Sequence, residues 1–239
     1  MSKRSKRALP RAGRARATAP PPRPPGKRAG PSGTQIGFAS VVAILAVAAF
    51  IWLGNMQPVS PAPISSSIRL SGTAMGEANA PVTIEEWADF QCPACRTFAV
   101  TTEPQLRAAY VSTGKVRFIF QNFAFLGVES EWAAQAAECA AAEGRFVDYH
   151  DRLYAAQRGE NSGAFSKANL KKIGVDLGLG GQFTACVDSG AYAANVRDSR
   201  SAGQAKGVRV TPTLFINGTK VEGALTFDQL RAKVDPLLR

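Results

Sequence analysis

Four cysteines carry the most specific chemistry of the 239-residue chain: Cys92, Cys95, Cys139 and Cys186. Two of them form the quartet Cys92-Pro93-Ala94-Cys95. The run before it, Val82–Ala88 (VTIEEWA), is β-branched and aromatic and reads as a strand. Pro93 suits the first position of a helix, where a missing N–H costs nothing. The first sulfur would then lie just beyond a helix N-terminus, where unpaired amides and the helix dipole favour a thiolate. The second would lie about one turn in, close enough to bridge and shielded from solvent. One thiol can attack and the other resolve, which is the chemistry of thiol–disulfide exchange.

Two other uses of the pair are weaker. Zinc takes four ligands. Beyond the pair the chain offers two distant cysteines and a single histidine, His150, on a predicted helix. No metal and no cofactor is expected. A purely structural bridge between Cys92 and Cys95 would close a very short loop, which restrains the unfolded chain little.

The elements that must position the pair follow from periodicity and punctuation. Residues 93–112 read as a helix that Pro104 kinks or restarts. Residues 116–123 (VRFIFQNF) read as a second strand, with Gly114 as the stop before it. From about 128 to 206 the pattern is helical, in segments at 132–142, 146–157, 166–177, 182–189 and 191–206, with Ser166 as a cap. Residues 208–216 read as a strand, Asn217-Gly218 as a hairpin turn, and 220–223 as its partner. A helix capped by Thr226 closes the chain over 226–238. The order is β-α-β, a helical block, then β-β-α, with no internal repeat.

The formal charge of +11 is unevenly placed. Residues 1–33 hold ten Lys and Arg, no acidic residue and seven of the 15 prolines, leaving 19 basic and 18 acidic residues in the remainder. Residues 1–35 are expected to be a disordered basic tail, since they hold almost no large apolar side chains to offset chain entropy. A nucleic-acid-binding domain is excluded, because 73–239 carries no net charge. Residues 36–53 (IGFASVVAILAVAAFIWL) form an uncharged apolar run long enough to serve as a transmembrane helix. Its basic flank places the N-terminus in the cytoplasm and all that follows outside the cell membrane. Cleavage as a signal peptide is the alternative, but the run is long and Asn55-Met56-Gln57 is a poor exit. Residues 54–72 are rich in Pro and Ser and read as a linker. Residues 73–239 then make one domain with a proper core. In an oxidising compartment, disulfides are permitted.

Three separated features point to a family. The segment EEWADFQCPACRTF, the helical block with its own cysteines, and Val210-Thr211-Pro212-Thr213 followed by LFINGTKVEG resemble the DsbA-like branch of the thioredoxin superfamily, in its membrane-tethered bacterial form. The resemblance spans about 75–239. It implies an α/β thioredoxin fold with a helical insertion at about 123–207, preceded here by the single transmembrane helix. It also implies the further sheet strands that periodicity does not reveal.

Carried over by position, Cys92 is the exposed nucleophile and Cys95 the resolving thiol. Pro93 and Ala94 form the active-site dipeptide. Thr211-Pro212 matches the cis-proline loop that lies against the sulfurs and offers its edge to an extended substrate. Glu86, six residues before Cys92, falls where the family buries a carboxylate that takes or relays the proton of the resolving thiol, while Glu85 faces the other side of the strand. Many members carry a histidine at the position of Ala94, which would stabilise the thiolate; the helix N-terminus and Arg96 are left to do so here. The resemblance pairs Cys139 with Cys186 in a structural disulfide, the alternative being two buried free thiols. His150, Tyr149 and Trp132 are packing residues.

The activity implied is that of an extracytoplasmic thiol–disulfide oxidoreductase. It would introduce disulfides into exported unfolded proteins and be reoxidised by a quinone-linked membrane partner of the DsbB or VKOR type. A reductase or isomerase with the same site is one rival, and a redox-inert binding domain on the same scaffold is another.

Overall fold

A computed structural model describes residues 68–239. The expected tail, the transmembrane run and nearly all of the linker lie outside the described residues. Among the described residues, no helix is long and apolar enough to cross a membrane.

Six strands form one sheet in the order β1-β2-β4-β3-β5-β6. At its centre lie β3 (Val82–Ala88) and β4 (Val116–Asn122), paired in parallel with Glu86 opposite Phe120. Their crossover is α1 (Pro93–Thr101) and α2 (Glu103–Leu106), the latter continued by a π-helical turn at Arg107–Val111. Pro104 has no N–H to offer, so the expected single helix breaks after Thr101 and restarts. On the other side of β3, β5 (Thr213–Ile216) runs antiparallel, with Glu86 opposite Leu214, and pairs in turn with β6 (Thr219–Glu222).

β5 is shorter than the strand expected over 208–216. Pro212 cannot donate to a ladder, so residues 208–212 run as a loop, and the strand starts at Thr213. The strands that periodicity did not reveal are β1 (Leu70–Ser71) and β2 (Ala74–Met75), a tight hairpin whose second strand pairs antiparallel with β4. Two residues per strand are too few to show alternation, and β1 begins inside the stretch read as linker.

Between β4 and β5 come five helices: α3 (Val128–Ala142), α4 (Phe146–Ala156), α5 (Lys167–Asp176), α6 (Gly181–Ser189) and α7 (Ala193–Ala205). The chain closes with α8 (Phe227–Val234) and a 3-10 turn. α8 opens on a full capping box, in which Thr226 accepts from the Gln229 amide while the Gln229 side chain accepts from the Thr226 amide. One continuous core joins the sheet to the inserted helices through Phe90, Phe118, Phe120, Phe146, Tyr149 and Phe183. α7 lies close against the central strands because it carries Gly203, where an added Cβ would stand 2.6 Å from the ring of Phe123, just past β4, and 2.7 Å from Trp87 on β3.

Candidate active site

β3 delivers the chain to the site. Glu86 is fully buried on it. Its neighbour Glu85 points to the opposite face and pairs with Lys206 Nζ at 2.6 Å. Beyond Ala88 the chain turns on Asp89, which is 1% exposed. One Asp89 carboxylate oxygen accepts from the Gln91 amide (2.8 Å) and the Ser130 hydroxyl (2.6 Å). The other accepts from the amides of Phe125 (2.8 Å) and Leu126 (3.1 Å). The Asp89 carbonyl accepts the Cys92 N–H at 3.0 Å. From the far side Gln157, just past α4, donates to the carbonyls of Phe90 (2.7 Å) and Cys92 (3.1 Å).

The loop carrying Cys92 is thus held by two residues the sequence reading did not single out. For Asp89 a signal exists, since an Asp two residues before the amide it caps is an Asx-turn pattern. For Gln157 none does, because its partners are main-chain carbonyls 65 and 67 residues away.

Cys92 is the N-cap of α1, with extended backbone, and Pro93 follows in the first turn. Both active-site cysteines are free thiols. Cys95 is wholly buried, and Cys92 keeps only 8% of its surface, so the nucleophile is less exposed than the resemblance implied. Exposed Pro93 and half-buried Ala94 lie beside it. Cys92 Sγ donates to the Thr211 carbonyl at 3.4 Å. The Thr211–Pro212 peptide is cis.

The sulfur pair is electrostatically asymmetric. The Cys92 thiol is lowered from its ordinary 9.0 to about 6. The largest cause is a hydrogen bond from the Cys95 thiol; the Thr211 hydroxyl and the amides of Cys95 and Ala94 add to it, against the opposing effect of burial. The buried Thr211 hydroxyl makes no hydrogen bond of its own, which leaves it free to turn toward a Cys92 thiolate. Burial pushes the Cys95 thiol well above its ordinary range, and Cys92 and Glu86 push it further. Glu86 is raised well above 4.5, first by burial and then by the nearby Glu103, and neither of its oxygens has a hydrogen-bond partner. The result is a nucleophile that ionises easily beside a resolving thiol and a carboxyl group that both hold their protons.

The expected help from Arg96 is absent. Its Nε donates to the Tyr154 carbonyl at 3.0 Å, which turns its charge toward α4. His150 does not touch the sulfurs. It is fully buried and packs among the rings of Phe90, Phe120, Phe146 and Tyr154. Cys139 on α3 and Cys186 on α6 are joined as a disulfide, with Cα atoms 6.0 Å apart. Among the described residues, no group of three or more His, Cys, Asp or Glu could hold a metal ion.

The comparisons with known proteins agree with this geometry. The family model described as "Thioredoxin" matches residues 70–236. The chain is 31% identical over 176 residues to the probable disulfide bond formation protein D of Bacillus anthracis, a match covering 70% of this chain and 78% of the relative. Oxidised BdbD of Bacillus subtilis superposes with a TM-score of 0.65 at 24% identity, covering 73% of this chain and 97% of that one. The reduced disulfide bond oxidoreductase DsbG of Mycobacterium tuberculosis superposes with a TM-score of 0.60 at 28% identity, covering 75% and 89%. With its cysteine pair seated at a helix N-terminus against a Thr-Pro loop, the chain belongs to the DsbA-like branch of the thioredoxin superfamily, the protein thiol–disulfide oxidoreductases.

Proposed function

We infer that the protein works as an oxidant outside the cytoplasm, introducing disulfides into exported proteins through Cys92 and Cys95. The observation that carries this direction is the lowered Cys92 thiol beside the raised Cys95 thiol. A thiolate stabilised in the folded protein favours the reduced form, and a couple whose reduced form is favoured oxidises its substrates.

In the forward reaction a substrate thiolate attacks Cys92 Sγ and the Cys92–Cys95 bond breaks. Cys95 leaves as a thiolate and takes a proton from Glu86. The substrate's second thiolate then attacks the substrate sulfur of the mixed disulfide, forming the new bond and releasing Cys92 as a thiolate. The main chain beside Thr211, next to Cys92, offers an edge on which an extended substrate segment can pair.

Substrates are proteins with free cysteines, and turnover needs a partner that reoxidises the reduced pair. A quinone-linked membrane protein of the DsbB or VKOR type fits that need. An uncleaved anchor at 36–53, with the basic residues before it kept in the cytoplasm, puts the domain where such chemistry is used; the uncharged run and the ten flanking cations support that placement.

A reductase or isomerase would use the same residues, and the equilibrium of the Cys92–Cys95 couple against glutathione separates the two. The oxidant reading expects a potential well above thioredoxin's, which is about −270 mV. A value near thioredoxin's overturns it. Incubation of the oxidised protein with a reduced, unfolded disulfide protein tests for a redox-inert domain, which would not accelerate disulfide formation over background.

A further inference from the structure

Releasing Cys95 consumes a proton at a buried position. Cys95 and Glu86 have no exposed surface. On the reading above, Glu86 gives its proton to the departing thiolate and becomes a buried carboxylate with no donor on either oxygen. Whatever sets the proton affinity of Glu86 therefore sets when this step can run.

The groups that face this region come from four directions. Beyond β3 stands Asp89, whose carboxylate is taken up by four donors. From α1 come Cys92 and Cys95. From α2 and its π-helical turn come Glu103 and Arg107, both of which act on Glu86 through space. From α4 come His150, Asp151 and Tyr154. Glu103 and His150 are fully buried, and Arg107 nearly so.

Their hydrogen bonds leave one contact that does not balance. Arg107 donates to Glu103 Oε1 from Nε (2.9 Å) and Nη2, and to both Asp151 oxygens at 2.7 and 2.8 Å. Burial alone would raise Asp151, but the hydrogen bonds from Arg107 and His150 outweigh it and hold it below the ordinary range, so it is a carboxylate. His150 Nδ1 lies 2.8 Å from that carboxylate and 3.4 Å from Arg107 Nη2, but the two Nη2 hydrogens go to Glu103 and Asp151, which assigns the Nδ1 hydrogen to the contact with Asp151. The other ring nitrogen, Nε2, faces Glu103 Oε2 at 3.5 Å. Neither atom has a hydrogen-bond partner. With the ring neutral and Glu103 ionised, two lone pairs would oppose each other in a buried site. A single proton between them removes that conflict, whichever atom holds it.

The charge count agrees. Glu86, Glu103 and Asp151 oppose one guanidinium, Arg107. One proton on Glu86 and one between Glu103 and His150 make these groups neutral among themselves, while the Asp89 carboxylate is answered separately by its four donors. Asp151, with 20% of its side chain exposed, is the point at which the cluster meets solvent.

We propose that Glu103 and His150 share one buried proton, and that the charge of this pair determines how tightly Glu86 holds the proton that Cys95 needs. They are positioning residues that act through Glu86. The proposal rests on the role given to Glu86 above. When the pair keeps its proton, Glu103 presents no full charge and Glu86 releases its proton readily. When the pair loses it, the Glu103 carboxylate holds the proton on Glu86 more tightly.

The test uses the single histidine of the chain, which makes labelling unambiguous. In 15N-histidine-labelled protein, the His150 imidazole signals should differ between the oxidised and reduced forms and should move with pH. Glu103→Gln keeps an oxygen for Arg107 and offers a fixed N–H to His150 Nε2, so it should fold. It removes the mobile proton and the charge. Where the pair of the unsubstituted protein has lost its proton, the limb of the pH–rate profile assigned to Glu86 should lie at lower pH in the variant, because the Glu103 charge that holds the Glu86 proton is gone, and the imidazole signal should stop responding to redox state.

Imidazole signals that ignore both redox state and pH in the unsubstituted protein overturn the proposal, whether or not Glu103→Gln folds. A Glu103→Gln profile equal to that of the unsubstituted protein overturns it as well. Glu86→Gln, measured alongside, separates the two layers. If it abolishes the limb while Glu103→Gln leaves it in place, the Glu103–His150 pair fails and Glu86 stands. If the limb survives Glu86→Gln, the role of Glu86 fails first, and the proposal with it.

Discussion

Cys92 Sγ and the Thr211 carbonyl oxygen lie 3.4 Å apart, so the end of α1 and the loop before β5 meet at the reactive sulfur. The Thr211 hydroxyl adds to the stabilisation of the thiolate there, after the larger effect of the Cys95 thiol. The reduced protein should therefore show a thiolate absorbance in the ultraviolet that titrates near pH 6 and is lost in Cys92→Ser. The sign of the stability effect follows from a thiol lowered from 9.0 to about 6. The stabilisation of the folded reduced form is fully present above pH 9, falls as pH drops, and is gone below about 6. Melting curves of the reduced and oxidised forms should thus shift in favour of the reduced form between pH 6 and 9. A stability difference that stays flat across this window contradicts the lowered thiol.

Glu86 should cost stability where it would ionise. Its carboxyl group is raised above 4.5 by burial, then by Glu103, so folding favours the protonated form. No penalty exists at pH values below 4.5, and the penalty grows as pH rises through the native value. Glu86→Leu in the oxidised form, where the active-site thiols cannot titrate, should gain stability over the unsubstituted protein as pH increases. The gain should be about 1–3 kcal/mol at neutral pH, the range for a buried polar group without partners. The same change should slow exchange at Cys95. A substitution that lowers stability equally at acid and neutral pH would show that Glu86 serves packing instead.

The chemistry was easier to read in the sequence than the frame that holds it. The CxxC quartet, the Thr-Pro loop and the helical block are local patterns, and their order alone suggested the family. Residues 70–75 form a hairpin of two-residue strands, too short for any period to register. The stretch 208–212 has strand-like composition, yet Pro212 has no N–H and the ladder begins only at Thr213. Arg96 looked like a neighbour of the thiolate because it follows Cys95 directly, but its guanidinium finds the Tyr154 carbonyl. Asp89 and Gln157 act on main-chain groups distant in sequence, and such contacts leave almost no trace in a linear pattern.

Asp89 should prove as important to the site as any residue beside the sulfurs. Its carboxylate gathers the amides of Gln91, Phe125 and Leu126 and the hydroxyl of Ser130, joining the Cys92 loop to the start of the helical insertion. Asp89→Ala leaves these four donors without an acceptor, those of Gln91 and Ser130 buried and the amides of Phe125 and Leu126 partly so. A loss of about 3 kcal/mol or more is expected, since each unsatisfied buried group costs roughly 1–3 kcal/mol. Asp89→Asn keeps the shape and two acceptor lone pairs, and should recover part of the loss. Denaturant melts measure both. If Asp89→Ala is as stable as the unsubstituted protein, the loop is held by something other than this carboxylate.

The Cys139–Cys186 bridge should support the fold without entering the redox reaction. It ties α3 to α6 across 47 residues of chain, and the active-site pair lies outside that loop. In the chain-entropy model, closing a loop of this length stabilises the folded state by about 4 kcal/mol. The double substitution Cys139→Ala/Cys186→Ala should lower stability by up to that amount, less any relaxation of the packing around two small side chains. Neither cysteine is among the groups that shift the Cys92 thiol. The equilibrium of the Cys92–Cys95 couple with glutathione should therefore be unchanged in the double variant under conditions where it remains folded. A shift in that equilibrium with the fold intact would mean that the inserted helices tune the active site as well as support it.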